Sequence, residues 1–295
     1  MTIEGTHGLW ADLHQPDLQP ENSDISVLGI PFDGLASARQ GAAAAPKTIR
    51  AWSRHLTPFS EDRTDLREIT ICDLGDEVIS NPPIDFERIK QKIAGLPNIL
   101  IALGGDHSVS IPLLQGLLLR RPKMGVLWLD AHPDLCDSFD GSRLSHACVL
   151  KRALDAGLDP SRVCMVGLRS WEEQEIELIE TGRLNVYTAQ QVYDDGIKSF
   201  LPEIIAKLST CDGVYVSCDI DALDPSIAPG TGIPDHGGLG MRDILTLLRS
   251  LPKNIDLLGL DVVEVAPPLD PTDSTVFAAL KIIMEFVGVV ARRKK

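Results

Sequence analysis

Three short stretches of the chain concentrate groups that can do chemistry. "GGDHS" (104–108) brings Asp106 and His107 together, "DAHPD" (130–134) holds Asp130, His132 and Asp134, and "CDIDALDP" (218–225) holds Asp219, Asp221 and Asp224. A fourth, "GLDVVEV" (259–265), sets Glu264 at the end of an apolar run. Each stretch follows apolar, strand-like residues, so carboxylates and imidazoles stand where buried strands end. Buried charge is costly unless it is paired or bound to a metal. In an extended segment, residues i, i+2 and i+4 share a face, which would aim Asp130, His132 and Asp134 the same way and Asp219 with Asp221. His107, His132 and the four carboxylates of 130, 134, 219 and 221 carry too much negative charge for one small cation. Oxygen-rich ligation with a minority of imidazole suits Mn²⁺ better than Zn²⁺. Two divalent ions sharing carboxylates would neutralise the set and supply a hydroxide nucleophile near neutral pH.

Two more residues are candidates for work on a substrate. His146, twelve residues beyond Asp134, opens a helical run and can relay protons near neutral pH. Glu264, if it binds no metal, needs a cationic partner, and a bound guanidinium or amidinium would serve through paired hydrogen bonds. Asp106, Asp137 and Asp224 read as helix caps or turn residues. The glycine-rich loop "APGTGIPDHGGLG" (228–240) has no G-K-[ST] and does not match G-x-G-x-x-G, so it reads as a wall of the site and not as a phosphate cradle. His236 within it is open between wall and surface.

Something must bring these stretches together. Eight β-branched apolar runs recur, starting near residues 26, 68, 98, 124, 162, 184, 213 and 256, with amphipathic helical patterns between most of them. Strands apolar on both faces and alternating with helices indicate a mostly parallel α/β sheet covered on both sides. A closed barrel and an open doubly covered sheet both fit the pattern. In either, the site lies beyond the carboxyl ends of the strands.

The 295 residues, 44% hydrophobic, fit one large domain, with residues 1–24 as an N-terminal arm that can fold over the site or a neighbouring subunit. The net charge of −14 argues against a nucleic-acid partner and suits a cationic substrate. Six cysteines without a C-x-x-C pair fit buried thiols in a reducing compartment. No secretory signal and no 18-residue apolar window is evident, so a soluble, cytoplasmic protein without a membrane span is expected.

With these residues assembled, the chain resembles the arginase/agmatinase (ureohydrolase) family from about Ser26 to the C-terminus. The matching pieces, in the family's order, are "GIPFDGLASARQGAAAAPKTIR", "LGGDHSVS", "LDAHPDLCD", "SHACVLKRA", "SCDIDALDPSIAPGTGIPDHGGLG" and "LDVVEVAPPLD". The resemblance implies a three-layer αβα fold with a mainly parallel eight-stranded sheet. It also implies two Mn²⁺ per subunit, with Ni²⁺ or Co²⁺ as substitutes. His107, Asp130, Asp134 and Asp219 would hold one ion, and Asp130, His132, Asp219 and Asp221 the other, with Asp130 and Asp219 bridging. Glu264 would orient a guanidinium, Asp134 would pass a proton to the departing amine, and His146 would shuttle protons to solvent. Assembly as a homotrimer or homohexamer is implied as well.

Within the family the "APGTGIPDHGGL" and "SHACVLKRA" segments look like the agmatinase branch, so agmatine, split to putrescine and urea, is the expected substrate. Arginine, a guanidino acid such as guanidinobutyrate, and guanidine are the alternatives. Cys136 stands where animal-type arginases place an Asn that meets the substrate's α-carboxylate, which weakens the arginine reading. The run "GAAAAP" (41–46) lacks the Gly usual before its Pro, which bears on substrate size. A non-catalytic homologue would be expected to have lost some of these ligands, and here all are present.

Overall fold

The structure, a computed structural model, describes residues 5–294. Eight strands form one open sheet: β1 (Ile25–Gly29), β2 (Ile71–Asp76), β3 (Ile99–Leu103), β4 (Gly125–Leu129), β5 (Val163–Leu168), β6 (Asn185–Thr188), β7 (Val214–Asp219) and β8 (Leu257–Val263). Their order is β2-β1-β3-β8-β7-β4-β5-β6, and every pairing is parallel. β2 and β6 are free edges, so the sheet is not a barrel.

The strands alternate between two cores. Val27, Ile101 and Leu127 face one, while Leu28, Leu100 and Val126 face the other, as the two-residue period of a strand requires. On the first face lie α1 (Ala45–Ser53), α6 (Ala189–Asp195), α7 (Ile197–Leu208), α8 (Met241–Ser250) and α9 (Ser274–Lys294). On the second lie α2 (Pro82–Ala94), α3 (Ser110–Arg120), α4 (Val149–Asp155) and α5 (Glu173–Thr181). Both layers are needed because β1, β4, β5, β7 and β8 are buried along their whole length. Local signals set the helix starts. Pro82 and Pro83 open α2, where a missing N–H costs nothing, and Asp85 sits in its positive first turn.

The sheet order is what assembles the site. β3, β8, β7 and β4 are neighbours at its centre, so the four chemically loaded strand ends emerge side by side although they span residues 103 to 264. Glycine makes the closest approach there possible. A Cβ on Gly105 would lie 1.7 Å from the carbonyl oxygen of Phe32, in a loop after β1.

The helix α9 is apolar enough on average to cross a membrane, although Lys281 and Glu285 keep it from holding 18 consecutive apolar residues; 83% of its most apolar window is buried inside the protein, as for a core helix. One expectation needs correction. The described part of the arm does not cover the site. Trp10 is fully buried beside α1 and β2, its backbone N–H on Ser53 Oγ and its indole Nε1 donating to Asp73 Oδ2, both at 3.0 Å. His14 bridges to Ile71 of β2, so the arm extends the layer at the sheet's far edge. An indole this deeply packed stabilises the edge, and Trp10→Ala should cost about 3–5 kcal/mol. Denaturant unfolding measures it, and a midpoint within error of the parent would mean the arm is not docked.

Candidate active site

Most of the converging side chains come from loops and turns, and Asp219 is the last residue of a strand. β4 ends at Leu129, so Asp130, His132 and Asp134 lie beyond it, and Asp134 adopts a left-handed backbone with φ of 52°. The shared-face argument from i, i+2, i+4 therefore does not describe how these residues converge. The loop is shaped by its own hydrogen bonds: His132 N–H donates to Asp130 Oδ1 at 2.7 Å, and Ala131 N–H to Asp221 Oδ1 at 3.1 Å. Asp219 closes β7, and Asp221 sits in a 3-10 turn whose amide donates to Asp219 Oδ1 at 2.8 Å.

His107 Nδ1 lies 3.1 Å from Asp130, 3.0 Å from Asp134 and 3.3 Å from Asp219. His132 Nδ1 lies 3.1 Å from Asp221 and 3.5 Å from Asp130. Among the described residues two groups could thus hold a metal ion: His107, Asp130 and Asp134, and Asp130, His132 and Asp221, the ligand atoms of each within 4.8 Å of one another. Asp130 belongs to both. The fit to a metal shows in the hydrogen bonding. His107 Nδ1 and Asp130 Oδ2 are buried and make no hydrogen bond to any described residue, a costly arrangement for protein alone.

Charge is equally unbalanced. Burial opposes a charge on His132, yet Asp221 and Asp130 push its pKa up to about 12. Burial likewise opposes a charged His107, but Asp130, Asp134 and Asp219 raise its pKa well above the ordinary value. Burial and the neighbouring Asp130 raise Asp134 to about 7, and burial with Asp221 and Asp130 raises Asp219 far above the carboxylate range. A metal taking these lone pairs must displace those protons.

A buried relay, not anticipated from the sequence, sets the orientation of His107. Asp261, at the centre of β8, accepts from Ser110 Oγ, Tyr215 OH and Ser217 Oγ at 2.9 Å each and from Cys218 N–H at 3.1 Å. Ser217 has one hydroxyl hydrogen, and Asp261 takes it. Its oxygen must then accept from His107 Nε2, 3.1 Å away. That places a proton on Nε2 and turns the Nδ1 lone pair into the cluster. Trp128 stacks on the same imidazole at 4.5 Å and donates its Nε1 hydrogen to the His132 carbonyl at 3.1 Å. The signal was a second carboxylate, Asp261, in the apolar run that holds Glu264.

Above the cluster opens a cavity of about 210 Å³. His132, Asp134, Asp219 and Asp221 form its floor, with Glu264 and His146 beside them. Glu264 follows β8 with φ of 59°, and its Oε1 accepts the His107 amide at 2.8 Å. Burial and Asp106 push its pKa well above the usual value, although the nearby His107 offsets part of the rise. His146 opens a 3-10 turn, its Nδ1 3.9 Å from Glu264 Oε1 and its Nε2 3.0 Å from Ser37 Oγ. Burial and the positive His107 and His132 lower its pKa to about 4, which keeps it neutral.

Comparison with known proteins bears directly on this constellation. The chain matches the Arginase family over residues 23–288. It belongs to the arginase family. It is 35% identical to the agmatinase of Neisseria meningitidis serogroup C over 92% of this chain and 89% of that one. It is 30% identical to the guanidinobutyrase of Pseudomonas aeruginosa over 91% and 88%. Among solved structures, the agmatine ureohydrolase of Thermoplasma volcanium superposes with a TM-score of 0.86 at 29% identity, covering 98% of this chain and 95% of that one. The protein is therefore a hydrolytic enzyme of the ureohydrolase type.

The remaining expectations for this arginase-family site divide. Thr231, Gly232 and Ile233 of the glycine-rich loop line the cavity, while His236 is exposed and outside the lining. Residues 41–46 stay behind the lining, which is formed instead by Ala36, Ser37, Ala38 and Arg39. Asp106 caps its turn by accepting the Ser108 amide, and Asp224 accepts the amides of Ser226, Gly237 and Gly238. Asp137 instead pairs with Arg143 and Arg152, because these basic side chains fold back onto the loop. Trp171, Glu172 and Glu175 in the cavity wall were missed, since nothing in "SWEEQE" distinguishes a wall from a helix start.

Two outcomes follow from this geometry. Ser217→Ala should weaken divalent-metal binding by about 10–100-fold. Metal titration followed by protein-bound metal analysis measures it, and parental affinity would remove the relay from metal binding. Because metal must displace protons from Asp134, His107 and His132, affinity should climb as pH rises through about 7, by roughly tenfold per unit for each proton displaced. A flat affinity profile between pH 6 and pH 9 would contradict the protonation pattern.

Proposed function

We propose that this enzyme is a binuclear manganese ureohydrolase that cleaves agmatine to putrescine and urea. The observation that carries the reading is the pair of Asp/His groups sharing Asp130 at the floor of a cavity whose wall presents the buried carboxyl of Glu264. His107, Asp130, Asp134 and Asp219 would hold one Mn²⁺, and Asp130, His132, Asp219 and Asp221 the other. Oxygen-dominated ligation with two imidazoles supports Mn²⁺, with Ni²⁺ and Co²⁺ as substitutes. When bound, the ions acidify water at the site and so supply a nucleophile near neutral pH.

The chain's own groups account for the rest. Glu264 becomes a carboxylate when a guanidinium enters, and paired charge-assisted hydrogen bonds then fix the carbon of that group over the cluster. Asp134, on the floor of the cavity, can pass a proton to the departing amine nitrogen. His146, neutral at working pH, can take a proton on Nδ1 and pass it toward the cavity mouth, with Ser37 fixing its ring through Nε2.

The tail is read by the wall. Phe139, Trp171 and Ile233 offer apolar surface for a methylene chain, and Glu172 offers a carboxylate with no ion-pair partner among the described residues. A terminal ammonium fits that wall, as does the likeness to agmatinases. A second reading, an anionic tail as in guanidinobutyrate, rests on Arg39, which lines the same cavity while donating to the carbonyls of Thr231 and Gly232. Six free cysteines, five of them buried, support operation in the reducing cytoplasm, and assembly as a homotrimer or homohexamer follows the family resemblance.

Urea release by Mn²⁺-loaded protein from agmatine, arginine, guanidinobutyrate, guanidinopropionate and guanidine, each with a chelator control, tests the reading. Chelator-sensitive urea is expected from agmatine; urea from guanidinobutyrate alone would transfer the assignment to the second reading. Glu264→Gln should keep its metal but lose at least about a hundredfold in kcat/KM, since the cation loses its charged partner. Glu172→Gln should raise the KM for agmatine roughly tenfold with little change in kcat. An unchanged KM would take Glu172 out of tail recognition.

A further inference from the structure

The other end of the sheet carries a second cavity, of about 590 Å³, at the amino ends of β1, β3 and β8. It is separated from the catalytic cavity by the length of the strands and shares none of its lining. In a chain with a net charge of −14, this cavity is basic: Arg120, Arg121, Lys253, Arg293 and Lys294 face Asp24 and Asp256.

Pairing leaves positive charge over. Lys294 is matched with Asp24 at 2.6 Å and Arg121 with Asp256 at 2.9 Å, and Asp256 also faces Arg120 and Arg293. Arg120 is held by backbone carbonyls, those of Leu96 and Asn98, at the end of α2. Arg293 is held by the carbonyls of Leu251, Pro252 and Ile255, beyond α8. These bonds fix both guanidinium groups, and the helix ends favour them, yet neither has a carboxylate of its own. Burial, helped by Arg121, lowers the pKa of Arg120, and burial lowers that of Arg293. The Nε atoms of Arg121 and Arg293 are buried without a hydrogen-bond partner among the described residues. Lys253 has no ion-pair partner among them either. Donors fixed in place and surplus positive charge around one concavity are what a multiply charged oxyanion requires.

We propose that this cavity binds a small dianionic phosphate, held by Arg120, Arg293 and Lys253, at a site separate from the catalytic centre. Orthophosphate and a phosphomonoester share this chemistry.

Equilibrium dialysis of the metal-loaded, full-length protein against orthophosphate and, separately, glycerol phosphate tests the site. One anion per chain is expected. Lys253→Gln, which removes a side chain with no ion pair to lose, should weaken binding at least about tenfold and leave metal content, melting temperature and urea release unchanged. Arg120→Gln should weaken it further. Binding of glycerol phosphate without orthophosphate would support the site and assign it to a phosphomonoester; binding of both would support a bare phosphate pocket. The proposal is overturned if neither anion binds below about 10 mM. It is equally overturned if Lys253→Gln and Arg120→Gln both bind as the parent does, because the anion then sits elsewhere, such as at the metal cluster. Urea release is read separately, so failure of this site leaves the catalytic assignment intact, and the reverse.

Discussion

The constraint on which the rest of this structure depends is the crowding of four buried aspartates, the buried His107 and the half-buried His132 within a few ångströms of one another. Asp130 is fully buried, Asp134, Asp219 and Asp221 nearly so, and His107 stands among three of them. Like charges at this distance cannot all ionise in a poorly solvated site. Protons or metal ions must make up the balance. The raised pKa values of Asp134, Asp219, His107 and His132 describe the proton solution, and the orphaned His107 Nδ1 and Asp130 Oδ2 point to the metal one. A fold that tolerates this arrangement has to hold the groups rigidly, since any relaxation toward solvent would relieve the strain and lose the site.

Rigidity comes from three directions. The central strands β3, β8, β7 and β4 fix the roots of the loops. Asp261 gathers four donors within the sheet and, through Ser217, dictates which nitrogen of His107 faces the cluster. Glu175 ties Leu135 N–H to the start of α5 at 2.8 Å, which pins the residue after Asp134. The backbone itself is strained where chemistry is placed: Asp134 and Glu264, both non-glycine, hold positive φ. Each such conformation costs on the order of 1–2 kcal/mol and persists because its surroundings leave no alternative.

Much of this was legible in the sequence. All eight strands overlap the apolar runs, β1 starting one residue before its run and β2 ending one residue after, because strands buried on both faces are largely apolar. The six metal-ligand candidates are together, and Glu264 and His146 stand beside them. What the pattern could not supply was the route. It assigned Asp130, His132 and Asp134 to a strand face, whereas an irregular loop with its own hydrogen bonds carries them. Nor could it decide between barrel and open sheet, since strand order is a property of long-range pairing. The docking of Trp10 was equally hidden: its partners Ser53 and Asp73 lie 43 and 63 residues away. Asp261 was visible as a carboxylate in an apolar run, but only the structure shows that hydroxyls, and not a substrate, satisfy it.

The division between what the family fixes and what it leaves open has the same physical origin. Groups that manage the buried charge are constrained by one another, so a change at any of them leaves an unpaired buried ion. Groups that meet the far end of a substrate carry no such burden. Glu172 and Arg39 sit in loops of the cavity wall, one anchored at the start of α5 and the other on the carbonyls of Thr231 and Gly232. Either charge can be lost without disturbing the cluster beneath. A wall of opposite charges can favour an ammonium tail or a carboxylate tail, depending on which group reaches it and which is already satisfied. Arg39 spends its Nε and Nη2 hydrogens on backbone carbonyls, which fix its guanidinium but leave its charge without a carboxylate, and Glu172 likewise has no ion-pair partner among the described residues. The wall therefore offers two unpaired charges of opposite sign, and the geometry of a substrate's tail decides which of them it meets.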